Sequence, residues 1–244
     1  MPKKLYEKSE IWFAVAWIIA YVVLASIGDN ISADLGIDKL VTLPILIVLS
    51  AMLYFFVRKN GLTETYGLCK PRRSAARMLF YMPLLVLLTA NLWYGVRLNQ
   101  SPVETVLYVL SMFCVGFLEE MIFRGLLFQA MARDSVKSAM IVSSVTFGIG
   151  HIINLVNGSG TELLPNLLQV VYATAAGFMF VMMYLRSKSL VVCIAAHGLF
   201  NALGAFANES ATTNEMRVLS AILLTVITGS YAAYLALSMK EKNS

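Results

Sequence analysis

Charge is what this sequence has least of. Of its 244 residues only 14% are charged against 59% hydrophobic, and the mean hydropathy of +0.73 lies far above that of a soluble domain, which excludes an ordinary cytosolic enzyme. Cysteine is nearly as scarce. Cys69, Cys114 and Cys193 are far apart and form no C-x-x-C pair, so neither a disulfide framework nor a cysteine zinc site is indicated. Histidine occurs twice, at His151 and His197, and no H-E-x-x-H helix exists, which removes the usual zinc-peptidase signature, although Glu119, His151 and His197 would together offer the ligand types of a catalytic zinc site. Pro2 and the KEKNS tail signal neither myristoylation nor prenylation. Disorder is excluded in turn, because 13 Phe, 11 Tyr and 13 Met offer ample apolar surface to bury.

What is present is a series of apolar runs, near 11–27, 41–57, 78–96, 103–132, 138–156, 163–185, 189–206 and 218–239. Each is long enough to be read as a crossing of ~30 Å of hydrocarbon, predicting an all-α polytopic membrane protein of about eight transmembrane helices. The first run follows Lys3, Lys4 and Lys8 but lacks a small-x-small cleavage site before Asp29, so it reads as a retained helix, not a signal peptide. No repeat and no long soluble insert interrupts the pattern, so 1–244 reads as a single membrane domain.

The net charge of +5 and pI near 9.1 do not point to nucleic acid, because the basic residues sit between apolar runs and form no stripe. Topology accounts for them. With the amino terminus inside, sixteen Lys and Arg, Arg124 included, fall on the cytoplasmic side and only Lys39, Arg97 and Arg217 outside, so both termini are expected in the cytoplasm. The inner stretch 58–77, with Arg58, Lys59, Lys70, Arg72, Arg73 and Arg77 around Tyr66-Gly67-Leu68, is expected to sit on anionic membrane lipid.

Ionisable groups inside spans cost ~2.5 kcal/mol or more each on insertion scales and so mark function. Three constellations qualify: Phe117-Leu118-Glu119-Glu120-Met121-Ile122-Phe123-Arg124, Phe147-Gly148-Ile149-Gly150-His151, and His197-Gly198-Leu199-Phe200-Asn201. Glu120 and Arg124 are four apart and can pair on a helix, which gives them an orienting role. Glu119 is turned about 100° away and free to face something else. His197 and Asn201 share a face, and Gly148, Gly150 and Gly198 are expected to let helices approach closely. Counted at ~1.5 Å per residue, Glu119, His151, His197 and Asn201 lie ~12–20 Å from the cytoplasmic ends of their helices, so access is expected from that side.

The residues alone leave three readings open: a polar network that fixes helix register, a transport or proton-relay path, and hydrolysis. Amide hydrolysis needs a base for water, donors for the oxyanion and an acid for the leaving amine. Glu119 with His151 beside it could activate water, and His197 with Asn201 could donate to the oxyanion. No serine or cysteine in the motifs suggests a covalent intermediate.

The order EExxxR, FxxxH, HxxxN, each motif on its own span, resembles the CAAX prenyl endopeptidase and bacteriocin-processing group, the CPBP family of glutamate intramembrane proteases. The resemblance covers roughly 103–206, the family's core. It implies that Glu119 and His151 activate water, that His197 and Asn201 form the oxyanion hole, and that Glu120 and Arg124 support them, with no metal and no cofactor. Implied partners are a peptide or protein substrate at the membrane, with or without a lipid group, and the membrane lipids themselves. The short chain is similar to the bacterial branch, which implies a bacterial plasma membrane and bacteriocin, maturation or signalling peptides. The leading alternative is an immunity or scaffold protein that keeps the fold without needing turnover. A transporter ranks third, since no repeated, broken helices in matching halves are found.

Overall fold

The computed structural model describes residues 2–72, 82–157 and 162–240. Its helices are α1 (Pro2–Lys8), α2 (Glu10–Asp34), α3 (Thr42–Lys59), α4 (Met82–Leu88), α5 (Pro102–Glu119), α6 (Phe128–Ala132), α7 (Val136–Gly150), α8 (Leu163–Ser187), α9 (Leu190–Ala202) and α10 (Asn214–Lys240). Among the described residues there is no strand, only an isolated bridge between Val96 and Ala207. The protein is an all-α polytopic membrane protein.

Among the described residues six helical stretches are long and apolar enough to cross a membrane. The longest, Pro102–Ala132, is α5, a π-helical segment at Glu120–Leu127, and α6 in one continuous run. The stretch expected at 189–206 forms the shorter helix Leu190–Phe206. The one expected at 78–96 forms α4 and a 3-10 turn at Ala90–Leu92, with its first residues, like Arg73 and Arg77, outside the described part.

Local sequence sets the starts of the helices. Ser9, Ser135 and Ser189 each accept a hydrogen bond from the first turn of α2, α7 and α9. Ser101 and Glu104 form a capping box ahead of Pro102, which satisfies backbone donors that have no partner within the helix. Between α8 and α9 only Lys188, in a left-handed conformation, and Ser189 intervene, so the two helices turn back sharply.

The bundle has two distinct ends. At one, Tyr66 donates to the Tyr6 hydroxyl at 3.0 Å, Arg133 pairs with Glu10 at 2.9 Å, Leu190 N donates to Gly67 O at 2.7 Å, and Arg186 donates to Ser238 O at 2.8 Å. This end carries both termini. At the other, Lys39 pairs with Asp29 at 2.7 Å and Gln100 donates to Asp38 at 2.6 Å. Arg124 belongs to neither, because it is fully buried inside the bundle; a charge there does not contribute to the loop asymmetry in which it was counted.

The helices carrying the three motifs pack against one another, α5 on α9 and both α7 and α9 on the π-helical segment, while α8 backs α7 and α2 backs the π-helical segment. Close contacts here need glycine. A Cβ on Gly116 would lie 2.7 Å from the backbone N of Gly198, and one on Gly148 would lie 2.9 Å from the Cα of Thr174. Gly150 departs from expectation: nothing lies within 4 Å of its Cβ position, because α7 ends there and the residue faces a cavity. Gly148→Ala should therefore lower stability by about 1–3 kcal/mol, the cost of overpacking against backbone, whereas Gly150→Ala should leave it within about 0.5 kcal/mol. Thermal denaturation of the two variants in detergent, side by side, measures the difference.

Candidate active site

The acidic pair lies where the long fourth span changes its winding. The π-helical segment begins at Glu120, and all eight of its residues are buried. Such segments replace the i→i+4 ladder with wider i→i+5 turns and occur often at functional sites. Arg124 Nη1 lies 3.0 Å from Glu120 Oε1, with both side chains fully buried. The guanidinium sits 4.2 Å from the ring centre of Phe147 and 5.3 Å from that of Phe180, so the cation is held by a carboxylate and by aromatic faces together.

Glu120 also organises a histidine from another helix. His197 Nδ1 lies 2.8 Å from Glu120 Oε1. An ionised carboxylate only accepts, so Nδ1 carries the donated proton, and this fixes the ring's orientation. The imidazole stacks on Phe180, with centres 5.2 Å apart and planes 19° from parallel. Its Nε2 lies 3.4 Å from Glu119 Oε2, within ion-pair distance but outside hydrogen-bond geometry. The other oxygen, Glu119 Oε1, accepts a 2.8 Å hydrogen bond from the hydroxyl of Tyr21 on α2. Arg124, Glu120, His197, Glu119 and Tyr21 thus form one chain of polar contacts through an apolar interior.

His151 is the first residue beyond α7 and opens a 3-10 turn, His151–Leu155. Its Nδ1 lies 3.0 Å from the carbonyl of Phe147 and must donate to it, so in the neutral ring Nε2 is left as an acceptor. Its own carbonyl accepts from Asn166 Nδ2 at 2.8 Å. Asn201 follows His197 by one turn, as its spacing predicted. Glu119, His151 and Asn201 line one cavity of about 620 Å³, and Tyr21 lines it with them. His197 meets His151 and Asn201 at a second, apolar cavity of about 70 Å³ that reaches Leu87 and Leu224.

All six expected residues therefore lie together, with two differences from the sequence reading. The imidazole in contact with Glu119 is that of His197, while His151 lines the same cavity as Glu119. The route in also differs. The cavity runs from Glu119 to Asp29, Asp38, Lys39 and Glu209, at the end of the bundle opposite the termini, while Ile122, Leu126 and Phe128 are buried on the terminal side. Among the described residues the cavity therefore extends toward the end opposite the termini, not toward the end that carries them, from which access was expected. Sequence reasoning missed Tyr21, the stacking ring of Phe180 and the brace from Asn166. Each is a single residue on an apolar span with no spacing signal to its partner.

Two carboxylates, two imidazoles and a guanidinium thus gather in the interior of a polytopic membrane protein, where ionisable groups mark a functional site. Residues 101–203 match the family described as type II CAAX prenyl endopeptidase Rce1-like, which supports membership of the CPBP family and implies a membrane protease of the CAAX-endopeptidase type. No curated protein matches the chain. The matched segment contains all six motif residues and excludes Tyr21.

Removing one member of the buried pair strands the charge of the other. Glu120→Gln and Arg124→Ala should each cost about 3–5 kcal/mol of stability, and Glu119→Gln, whose partners are a neutral hydroxyl and a cavity-side imidazole, should cost far less. Comparative melting of the three purified variants checks the ordering.

Proposed function

We propose that the protein is an intramembrane glutamate endopeptidase that hydrolyses a peptide bond in a membrane-associated peptide or protein without using a metal ion. The observation that carries this reading is the position of Glu119. One of its oxygens is held by Tyr21, the other is turned inward beside His197, and the side chain lines a polar cavity together with His151 and Asn201.

Glu119 is the base. A water held between it and Nε2 of His151 gives a proton to Glu119 as its oxygen attacks the scissile carbonyl carbon. The carbonyl π electrons move onto oxygen, where the Asn201 amide donates to the developing charge. His197 adds a second donor from Nε2 when it is imidazolium. The C–N bond breaks, and the proton on Glu119 passes to the departing nitrogen, giving a carboxylic acid and an amine. Among the described residues no three His, Cys, Asp or Glu side chains converge to hold a metal ion.

We read both termini as cytoplasmic from the basic asymmetry, and the membrane as a bacterial plasma membrane from the resemblance to the family's bacterial branch. The cavity mouth then faces away from the cytoplasm, which suits substrates whose scissile bond lies toward the outer leaflet, including bacteriocin or signalling precursors. Cys69 lies at the terminal end, so it should resist a membrane-impermeant maleimide in intact cells and react after permeabilisation. Labelling from outside would reverse the orientation.

The reaction is tested by membrane proteomics of cells making the intact protein or Glu119→Gln, each with and without a zinc chelator. Peptides cleaved only with the intact carboxylate, and cleaved equally with chelator, are expected. Identical peptide profiles would favour a scaffold or immunity role, and cleavage abolished by chelator but restored by zinc would overturn the metal-free mechanism.

A further inference from the structure

We infer that Tyr21 is the positioning residue of the base, so that α2, which lies outside the segment matched to the family, is a working part of the site. This rests on the reading of Glu119 as the base. The two residues are 98 positions apart and joined by a 2.8 Å hydrogen bond from the Tyr21 hydroxyl to Glu119 Oε1. Tyr21 is 9% exposed, and what remains open of it faces the same cavity as Glu119. An ionised carboxylate has no proton to give, so the phenol is the donor.

The consequence concerns which oxygen works. The terminal torsion of a glutamate is broad and roughly two-fold, so a carboxylate held only by its own chain could present either oxygen to water. Tyr21 occupies Oε1 and leaves Oε2 as the atom turned to His197 Nε2, 3.4 Å away. Without the hydroxyl, nothing described on the α2 side holds the carboxylate against swinging toward that imidazole. Its electrons would then be engaged by His197 and withdrawn from the water. The aromatic ring itself is part of the buried hydrophobic core. Tyr21→Phe thus preserves the packing and removes the one contact at issue.

The experiment compares wild type, Tyr21→Phe and Glu119→Gln as full-length protein in detergent. The carboxylate infrared band of Glu119 is identified as the one missing from Glu119→Gln, and turnover is measured on a quenched fluorogenic peptide spanning a junction recovered from the proteomic comparison. In Tyr21→Phe the band should shift and kcat should fall about 10- to 100-fold, the range seen when a supporting or orienting contact is lost. KM and the melting temperature should stay at wild-type values, which a merely structural role would not produce. An unmoved band, or wild-type kcat in Tyr21→Phe while Glu119→Gln is dead, overturns the positioning role alone. Wild-type turnover by Glu119→Gln overturns the assignment of the base, and the positioning role with it.

Discussion

The Glu120 carboxylate is the group on which the rest of the site depends. It is completely buried in a bundle whose surroundings are apolar, where an unpaired charge is not sustainable. Arg124 meets that need from one turn along the same strand of helix, and His197 meets it from a different helix, both at Oε1. One oxygen atom thereby ties the local winding of the fourth span to the placement of α9. The guanidinium in turn fixes Phe147 and Phe180 as its aromatic walls, and those same two rings lie against His197. Ion pair, stacking and histidine orientation are therefore one arrangement and not three independent ones.

The helix geometry is arranged to permit it. His197 can reach Glu120 only because α9 lies almost backbone to backbone on α5, where Gly198 faces Gly116. In a membrane there is little hydrophobic drive to bring helices together, so close packing of small residues and interhelical polar contacts must do it. Here the glycine contact sets the distance and the Glu120–His197 bond sets the register. The sharp turn at Lys188 and Ser189, with Ser189 capping α9, then starts this short helix so that His197 and Asn201 come level with the acidic pair.

What could be read from sequence follows a simple physical division. Contacts set by helical period were legible: the Glu120–Arg124 pair and the shared face of His197 and Asn201 follow from i,i+4 geometry, and apolar length revealed the spans. Contacts between distant segments were not, because a lone Tyr21 in an apolar run carries no spacing relation to Glu119. Depth along a helix was legible too, but depth does not say which end is plugged. Ile122, Leu126 and Phe128 are buried on the terminal side, and in sequence they are indistinguishable from lipid-facing residues. The direction of access was misread for that reason. Gly150 was misread because a glycine at a helix end facing a cavity has the same sequence signature as one at a helix crossing.

The two glutamates, adjacent in sequence, end up in different electrostatic roles because of what surrounds each. Glu120 meets an obligate cation and a ring nitrogen, and it is sealed from the cavity; its charge is committed to structure. Glu119 meets a hydroxyl on one oxygen and only the edge of a hydrogen-bonding imidazole on the other, and it is open to the cavity. A strongly paired carboxylate is a poor base, whereas one restrained by a single neutral donor keeps an oxygen available for a proton. His197 links the two with one nitrogen on each side. The structural carboxylate thus orients the ring from behind while the cavity-facing carboxylate is left free to react. This division of labour requires a partner for Glu119 that fixes it without neutralising it, a requirement that a hydroxyl meets and a second arginine would not.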